Sequence, residues 1–300
     1  MHSRPAESAL ARYARELGWR AYAIPVLVVI TVWVLVDVFT APGNGDPEPA
    51  PGTASVTATS DTRDRDGRHG PDPADAPAQH LAANELPPGG FYAEQGAGTF
   101  RPVGAPGMTA GEGTERVVRF VVEVEDGVDT AASGGDDALA AMIDATLSNP
   151  KGWTNDPAFR FEHVAPDDNP DMRIQLTSVG TTRDVCGGED LAMETSCHIR
   201  LDDVSRVVIN ESRWVRGASA FNGDLGSYRQ YLVNHEVGHG LGFAAHEACG
   251  GDGELAPIMM QQTLSLSNSE LHSLNPDEVY PDEPTTCLYN PWPYPRPAVL

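Results

Sequence analysis

Residues 233–249 read VNHEVGHGLGFAAHEAC and place His235, Glu236 and His239 within one helical turn of each other. Histidines four apart fall on the same helix face. Two such imidazoles can both reach one metal ion at ~2.0–2.1 Å. Glu236 is turned by about 100° from His235, close enough to act on a water at the metal without being a ligand. Val233, Val237 and Leu241 repeat every four residues and form a separate apolar stripe for packing. The chemistry this spacing can do is metal-assisted hydrolysis, with Zn2+ as cofactor and Glu236 as general base.

A chance His-Glu-x-x-His in a chain with nine histidines is roughly a one-in-sixty event, and a glycine at position 242 lowers the odds about tenfold. Gly238, Gly240 and Gly242 each cost a helix up to ~1 kcal/mol, which argues against a purely structural helix. A catalytic zinc usually has three protein ligands and an open position. His246, the next imidazole after Gly242, is the expected third ligand. Asp252 or Glu254 would supply a carboxylate instead, and a surface His246 would leave a two-ligand site. His163 reads as a core or rim histidine, and His198 and His272 have no spacing that implies ligation. Tyr280 and Tyr289 could donate a hydrogen bond to an oxyanion, but in a Pro-rich tail they read, like Trp214 and Trp292, as packing residues.

The elements that must position these groups follow from periodicity. RVVRFVVEVEDG (116–127) alternates, with Val118, Phe120, Val122 and Val124 on one face and Arg119, Glu123 and Glu125 on the other, as a half-buried strand does. A helix follows on Leu139, Met142, Ile143 and Leu147, capped by Asp136 or Asp137 and stopped by Pro150. Residues 158–164, 172–179 and 206–210 read as further strands, the last a candidate edge for an extended substrate. The zinc helix runs from about 227 to 241, and an irregular Gly/Pro-rich C-terminal part closes the chain. The expected fold class is α+β, one twisted sheet with two helices packed on it.

The rest of the chain sets the compartment. Residues 21–41 are apolar apart from Asp37, and about 20 apolar residues suffice to cross a bilayer. Arg4, Arg12, Arg15 and Arg20 precede the run and no basic residue follows before Arg63, which keeps residues 1–20 cytoplasmic. A cleaved secretory signal is the alternative; Phe39-Thr40-Ala41 before Pro42 is a poor cleavage site. Either way the remainder lies outside the membrane. Residues 42–95, dense in Pro, Ala, Gly and Asp, read as a disordered stalk. Residues 96–300 are long enough for one core. The four cysteines all lie there, and proximity favours the pairs Cys186–Cys197 and Cys249–Cys287 over a four-thiolate zinc site, which lacks a CxxC pair. A net charge of −23 argues against the basic face that phosphate binding needs, and so against nucleic acid as a partner.

The stretches YRQYLVNHEVGHGLG, PIMMQQT and CLYNPWPYP, with FVVEVEDGV, PKGWT, ETSC and VVINESRWVRGA, cover most of residues 96–300. Together they resemble a domain family of unknown function from membrane-anchored actinobacterial proteins that carries a metzincin-like zinc-binding signature. The resemblance implies a zincin-like fold, ligand roles for His235 and His239, Glu236 as base, and Met259 in a methionine-containing turn beneath the metal. The metzincin pattern is HExxHxxGxxH, whereas here three residues separate Gly242 from His246. A turn outside the helical hydrogen-bond ladder can absorb that residue as a bulge. The expectation is thus a single-pass, extracytoplasmic zinc peptidase acting on peptide or protein substrates. A non-catalytic surface module with a structural zinc site is the alternative, and amide hydrolysis in cell-wall peptides stays open. The oligomeric state is not fixed by the sequence.

Overall fold

The computed structural model describes residues 29, 31–33, 81–82, 85–187 and 195–296. Residues 1–20, most of the apolar run 21–41 and residues 42–80 lie outside the described residues. Among those described, no helix is long and apolar enough to cross a membrane.

Seven strands form one mixed sheet. They are β1 (Phe100–Val103), β2 (Thr109–Gly111), β3 (Arg116–Glu125), β4 (Phe159–His163), β5 (Met172–Thr177), β6 (Cys197–Leu201) and β7 (Val204–Asn210). Their spatial order is β2-β4-β3-β5-β7-β6, with β1 also pairing β3. The central pairs β4/β3, β3/β5 and β5/β7 are parallel, whereas β1, β2 and β6 join antiparallel. The helices are α1 (Asp136–Leu147), α2 (Val179–Cys186), α3 (Glu211–Arg216), α4 (Leu225–Leu241) and α5 (Asn268–Leu274). The architecture is a mixed α/β one, and more helical than two helices on a sheet.

Val118, Phe120, Val122 and Val124 are fully buried in a core shared with Leu139, Ile143 and Leu147 of α1 and Leu232, Val233 and Val237 of α4. The opposite face of β3 is covered too, which corrects the half-buried reading. Glu123 and Glu125 are 5 % and 0 % exposed. Buried carboxylates need partners. Glu125 accepts the N–H groups of Gly98 (2.8 Å) and Ser178 (2.7 Å), and Glu123 is met by Arg173 and by Gln175 (2.8 Å). A central parallel strand is normally covered on both faces, so its polar residues must bond inside.

Three local expectations change in the same way. Gly135, not an aspartate, is the N-cap of α1; Asp136 is taken up by Arg101 at 3.0 Å and by Thr130. The strand expected to reach residue 179 stops at Thr177, because the Ser178 side chain accepts the Thr181 N–H and starts α2. The ordered domain also begins before residue 96. Ala93 N–H bonds the Glu211 carboxylate at 2.7 Å, Arg216 reaches Gly90 O at 3.0 Å, and the guanidinium of Arg216 covers the Tyr92 ring.

Beyond α4 the chain builds a smaller core of Cys249, Ala256, Met260, Leu264, Leu271, Tyr280 and Cys287. Disulfides join Cys186 to Cys197 and Cys249 to Cys287, the chemistry of an oxidising, extracytoplasmic compartment.

Candidate metal centre

The site is built on α4. Asp224 opens the helix by accepting the Ser227 N–H at 3.0 Å. Val233 and Val237 are buried in the main core, so the helix cannot rotate about its axis without losing that packing. Its last turn is unusually close to its neighbours. A Cβ at Gly238 would stand 2.6 Å from Met259 Sδ and 2.7 Å from Trp153 Cζ2, and one at Gly240 would stand 2.6 Å from Met172 Cε. The helix tolerates these glycines because a side chain there would collide with the methionines and the tryptophan. Gly242 ends it at φ 111°, and Phe243 N–H closes back on Gly238 O at 3.1 Å.

Beyond Gly242 the chain leaves the helical ladder. Ala244 N–H bonds Gly242 O and Glu247 N–H bonds Met259 O at 3.1 Å, so the additional residue before His246 is absorbed in the irregular turn between these ties. Met259 lies in a tight turn closed by Met260 N–H to Pro257 O at 3.0 Å. Ile258 of that turn accepts from His235.

The structure brings His235, His239 and His246 together. Ring centroids are 4.8 Å apart for His235 and His239, 5.5 Å for His235 and His246, and 5.3 Å for His239 and His246. Among the described residues this is the one group of His, Cys, Asp or Glu with converging ligand atoms, all within 4.8 Å of one another. Asp252 and Glu254 are not part of it. Asp252 accepts the Thr286 N–H at 3.1 Å, and Glu254 folds against Gly251.

Each imidazole is held from behind. His235 Nδ1 donates to Ile258 O (2.9 Å), His239 Nδ1 to Phe243 O (2.9 Å) and His246 Nδ1 to Glu278 (3.2 Å). Carbonyl and carboxylate oxygens only accept, so each Nδ1 carries a proton, and a ring in its neutral form then has its lone pair on Nε2. His235 Nε2 is buried with no described partner. An orphaned buried acceptor of this kind costs ~1–3 kcal/mol unless something binds it. A borderline cation such as Zn2+ fits this donor set.

Electrostatics keeps the ring nitrogens available. Burial, with the neighbouring His239 and His246, holds His235 well below the usual histidine range. His239 is lowered to about 4, mainly by burial and then by His246. Both rings are therefore neutral, the form that binds a cation. Glu236 is 3 % exposed, accepts no hydrogen bond from any described residue, and is pushed up to about 8 by burial.

A pocket of about 390 Å³ lies over the three rings and Glu236, and Thr195, Ser196, Cys197, His198, Ala244 and Gln261 complete its walls. A second pocket of about 430 Å³ shares His246 and is walled by Trp153, Phe243, Ile258, Met259 and Val279. β7 pairs β5 on one side and β6 on the other, so the 206–210 segment is no edge. The edge is β6, and no described strand covers its far side. His198 on β6, fixed by Ser205 Oγ at 2.7 Å, faces the site although its sequence position gave no hint of it. Glu278 and Tyr280 come from a loop more than thirty residues beyond His246. Tyr280 OH accepts the Gln261 N–H at 2.9 Å, and its ring centroid is 6.3 Å from that of His246. No local spacing encodes such contacts. Tyr289 packs on Phe221, as expected of a tail tyrosine.

Among protein families, the one described as "Protein of unknown function (DUF3152)" matches residues 86–295, and the chain belongs to it. No curated protein and no solved structure matches the chain.

Proposed function

We propose that this DUF3152 domain is a zinc-dependent, metzincin-like peptidase, held outside the cytoplasm by a single membrane span over residues 21–41. The observation that carries the reading is the set of three converging imidazoles, each with Nδ1 engaged from behind, opening onto the same pocket as the buried Glu236. His235, His239 and His246 would hold the ion. When bound, Zn2+ supplies Lewis acidity and lowers the pKa of water toward ~7.

The protein's own groups do the rest. Glu236 takes a proton from water in the pocket and passes it to the leaving amine. Burial raises its pKa, which makes the carboxylate a stronger base, and a neighbouring divalent cation favours the ionised form that a base needs. The open edge of β6 can pair with an extended peptide, which leads the substrate backbone past His198 into the pocket. A structural zinc site has no use for an unbonded carboxyl group beside its ligands. The placement of Glu236 therefore favours an enzyme over a binding module.

The test compares the full chain with Glu236→Gln on a peptide library, with metal content measured in parallel. Wild type is expected to carry about one zinc per chain and to cleave. The variant should keep its zinc and lose roughly 10²-fold or more in rate. A wild-type protein that binds zinc and cleaves nothing, or a variant as active as wild type, would refute the mechanism.

A further inference from the structure

The three imidazoles are not held alike. His235 and His239 give their Nδ1 protons to main-chain carbonyls, Ile258 O and Phe243 O, which no substitution removes. His246 gives its proton to a side chain, Glu278, at 3.2 Å. It also lies in the irregular stretch after Gly242, where no helical hydrogen bond fixes the residue. The Glu278 carboxylate is 34 % exposed and the His246 side chain 19 %, so water competes for this contact far more than for that of His235.

We infer that Glu278 is the positioning residue for the third ligand: its carboxylate sets the His246 tautomer and aims Nε2 at the metal. The inference rests on the zinc reading above. A ligating histidine needs its other ring nitrogen fixed, and outer partners of this kind typically account for 10–100-fold in metal affinity. The loop that carries Glu278 is itself anchored. Two residues on, Tyr280 is 4 % exposed, its carbonyl accepts from His272 Nδ1 at 3.0 Å, and its hydroxyl accepts from Gln261 N–H. Glu278 N–H bonds Asn275 O at 3.2 Å, tying the residue to the end of α5. The carboxylate is thus presented by a loop fixed on both sides. The third ligand lies in the turn that absorbs the additional residue, and Glu278 supplies a hold from outside that turn.

Two measurements on the full-length chain test this. The first is Zn2+ affinity, by competition with a chromophoric chelator, for wild type, Glu278→Ala and Glu278→Gln. The alanine variant is expected to bind on the order of 10–100-fold more weakly. The glutamine, whose amide oxygen still accepts the proton, should restore most of that loss. The second is the ring 15N shifts of His246 in metal-free protein. Wild type should show Nδ1–H, the alanine variant a mixture of tautomers, and both should melt alike. An alanine variant within about twofold of wild type in affinity, with the tautomer unchanged, overturns the inference. If wild type binds no zinc at the three rings, the metal reading fails instead, and the 15N shifts still decide whether Glu278 sets the tautomer.

Discussion

The two cores of this domain hold their residues by different means. The larger one is made of regular elements, a parallel-centred sheet with α1 and α4 packed on it, and its register follows from main-chain ladders. The smaller one, from Cys249 to Cys287, has a single short helix and is held by a disulfide and by side chains bonded to backbone. Asn268 exchanges bonds of 2.9 and 3.0 Å with Cys249, and Asn290 is bonded to Gln262, Ala256 and Trp292. The candidate ligands divide along the same line. His235 and His239 ride on the ladder of α4, while His246 leaves it and depends on Glu278 and Tyr280 of the second region. A ligand on a helix is as rigid as the helix, and a ligand in a turn is as rigid as the side chains around it.

The disulfides give the sharpest way to break that comparison. Cys249 and Cys287 are 38 residues apart, and Cys186 and Cys197 are 11 apart. Loop-closure entropy then puts removal of the first bridge at about 4 kcal/mol and of the second at about 3 kcal/mol. The difference should be larger in metal binding than in melting. On the zinc reading proposed above, Ser substitutions at both Cys249 and Cys287 should weaken zinc retention by loosening the region behind His246, whereas the same change at Cys186 and Cys197 should lower Tm and leave zinc affinity near wild type. Equal losses of affinity in the two would show that the third ligand does not depend on the second core.

Next in size is Gly238→Ala. Helix propensity alone would make it stabilising by up to ~1 kcal/mol. The new Cβ at 2.6 Å from Met259 Sδ and 2.7 Å from Trp153 Cζ2 reverses the sign, because overpacking costs about 1–3 kcal/mol. A drop in Tm is expected, and a rise would mean that the Met259 turn yields easily to the helix.

The smallest effect belongs to the regular region. Asp136 is held below the usual carboxylate range, first by its hydrogen bond to Arg101 and then by Thr130 and the Arg101 charge. A depressed folded pKa contributes stability that is fully present above the ordinary aspartate value and is lost as pH falls through the folded one. Asp136→Asn should therefore be destabilised relative to wild type at neutral pH, by less than ~1 kcal/mol because the pair is partly exposed. The two melting curves should converge in acid. A difference that persists there would have a cause other than the ion pair.

What could be read from the sequence was local. The 3.6-residue period put His235 and His239 on one face and Val233 and Val237 on another, and Gly242 marked the end of the helix. Alternation found β3, β4, β5 and β7. It missed β1, β2 and β6, which are three to five residues long and owe their conformation to the strands they pair with. Glu123 and Glu125 followed the alternating pattern, yet both are buried, since a pattern of polarity does not say what covers the second face.

The sequence by itself determined the residue types that can bind a cation, their spacing along one helix, and the four cysteines available for two bridges. The tertiary structure alone decided that His246 joins the pair while Asp252 and Glu254 stay apart, that β6 and not β7 is the open edge, and that His198, Glu278 and Tyr280 surround the site. The physical reason is range. Helical period and capping act over one to four residues and are written in local order. A carboxylate that steadies an imidazole 32 residues away is brought there by turns, a disulfide and a second core, whose closure depends on the whole folded chain.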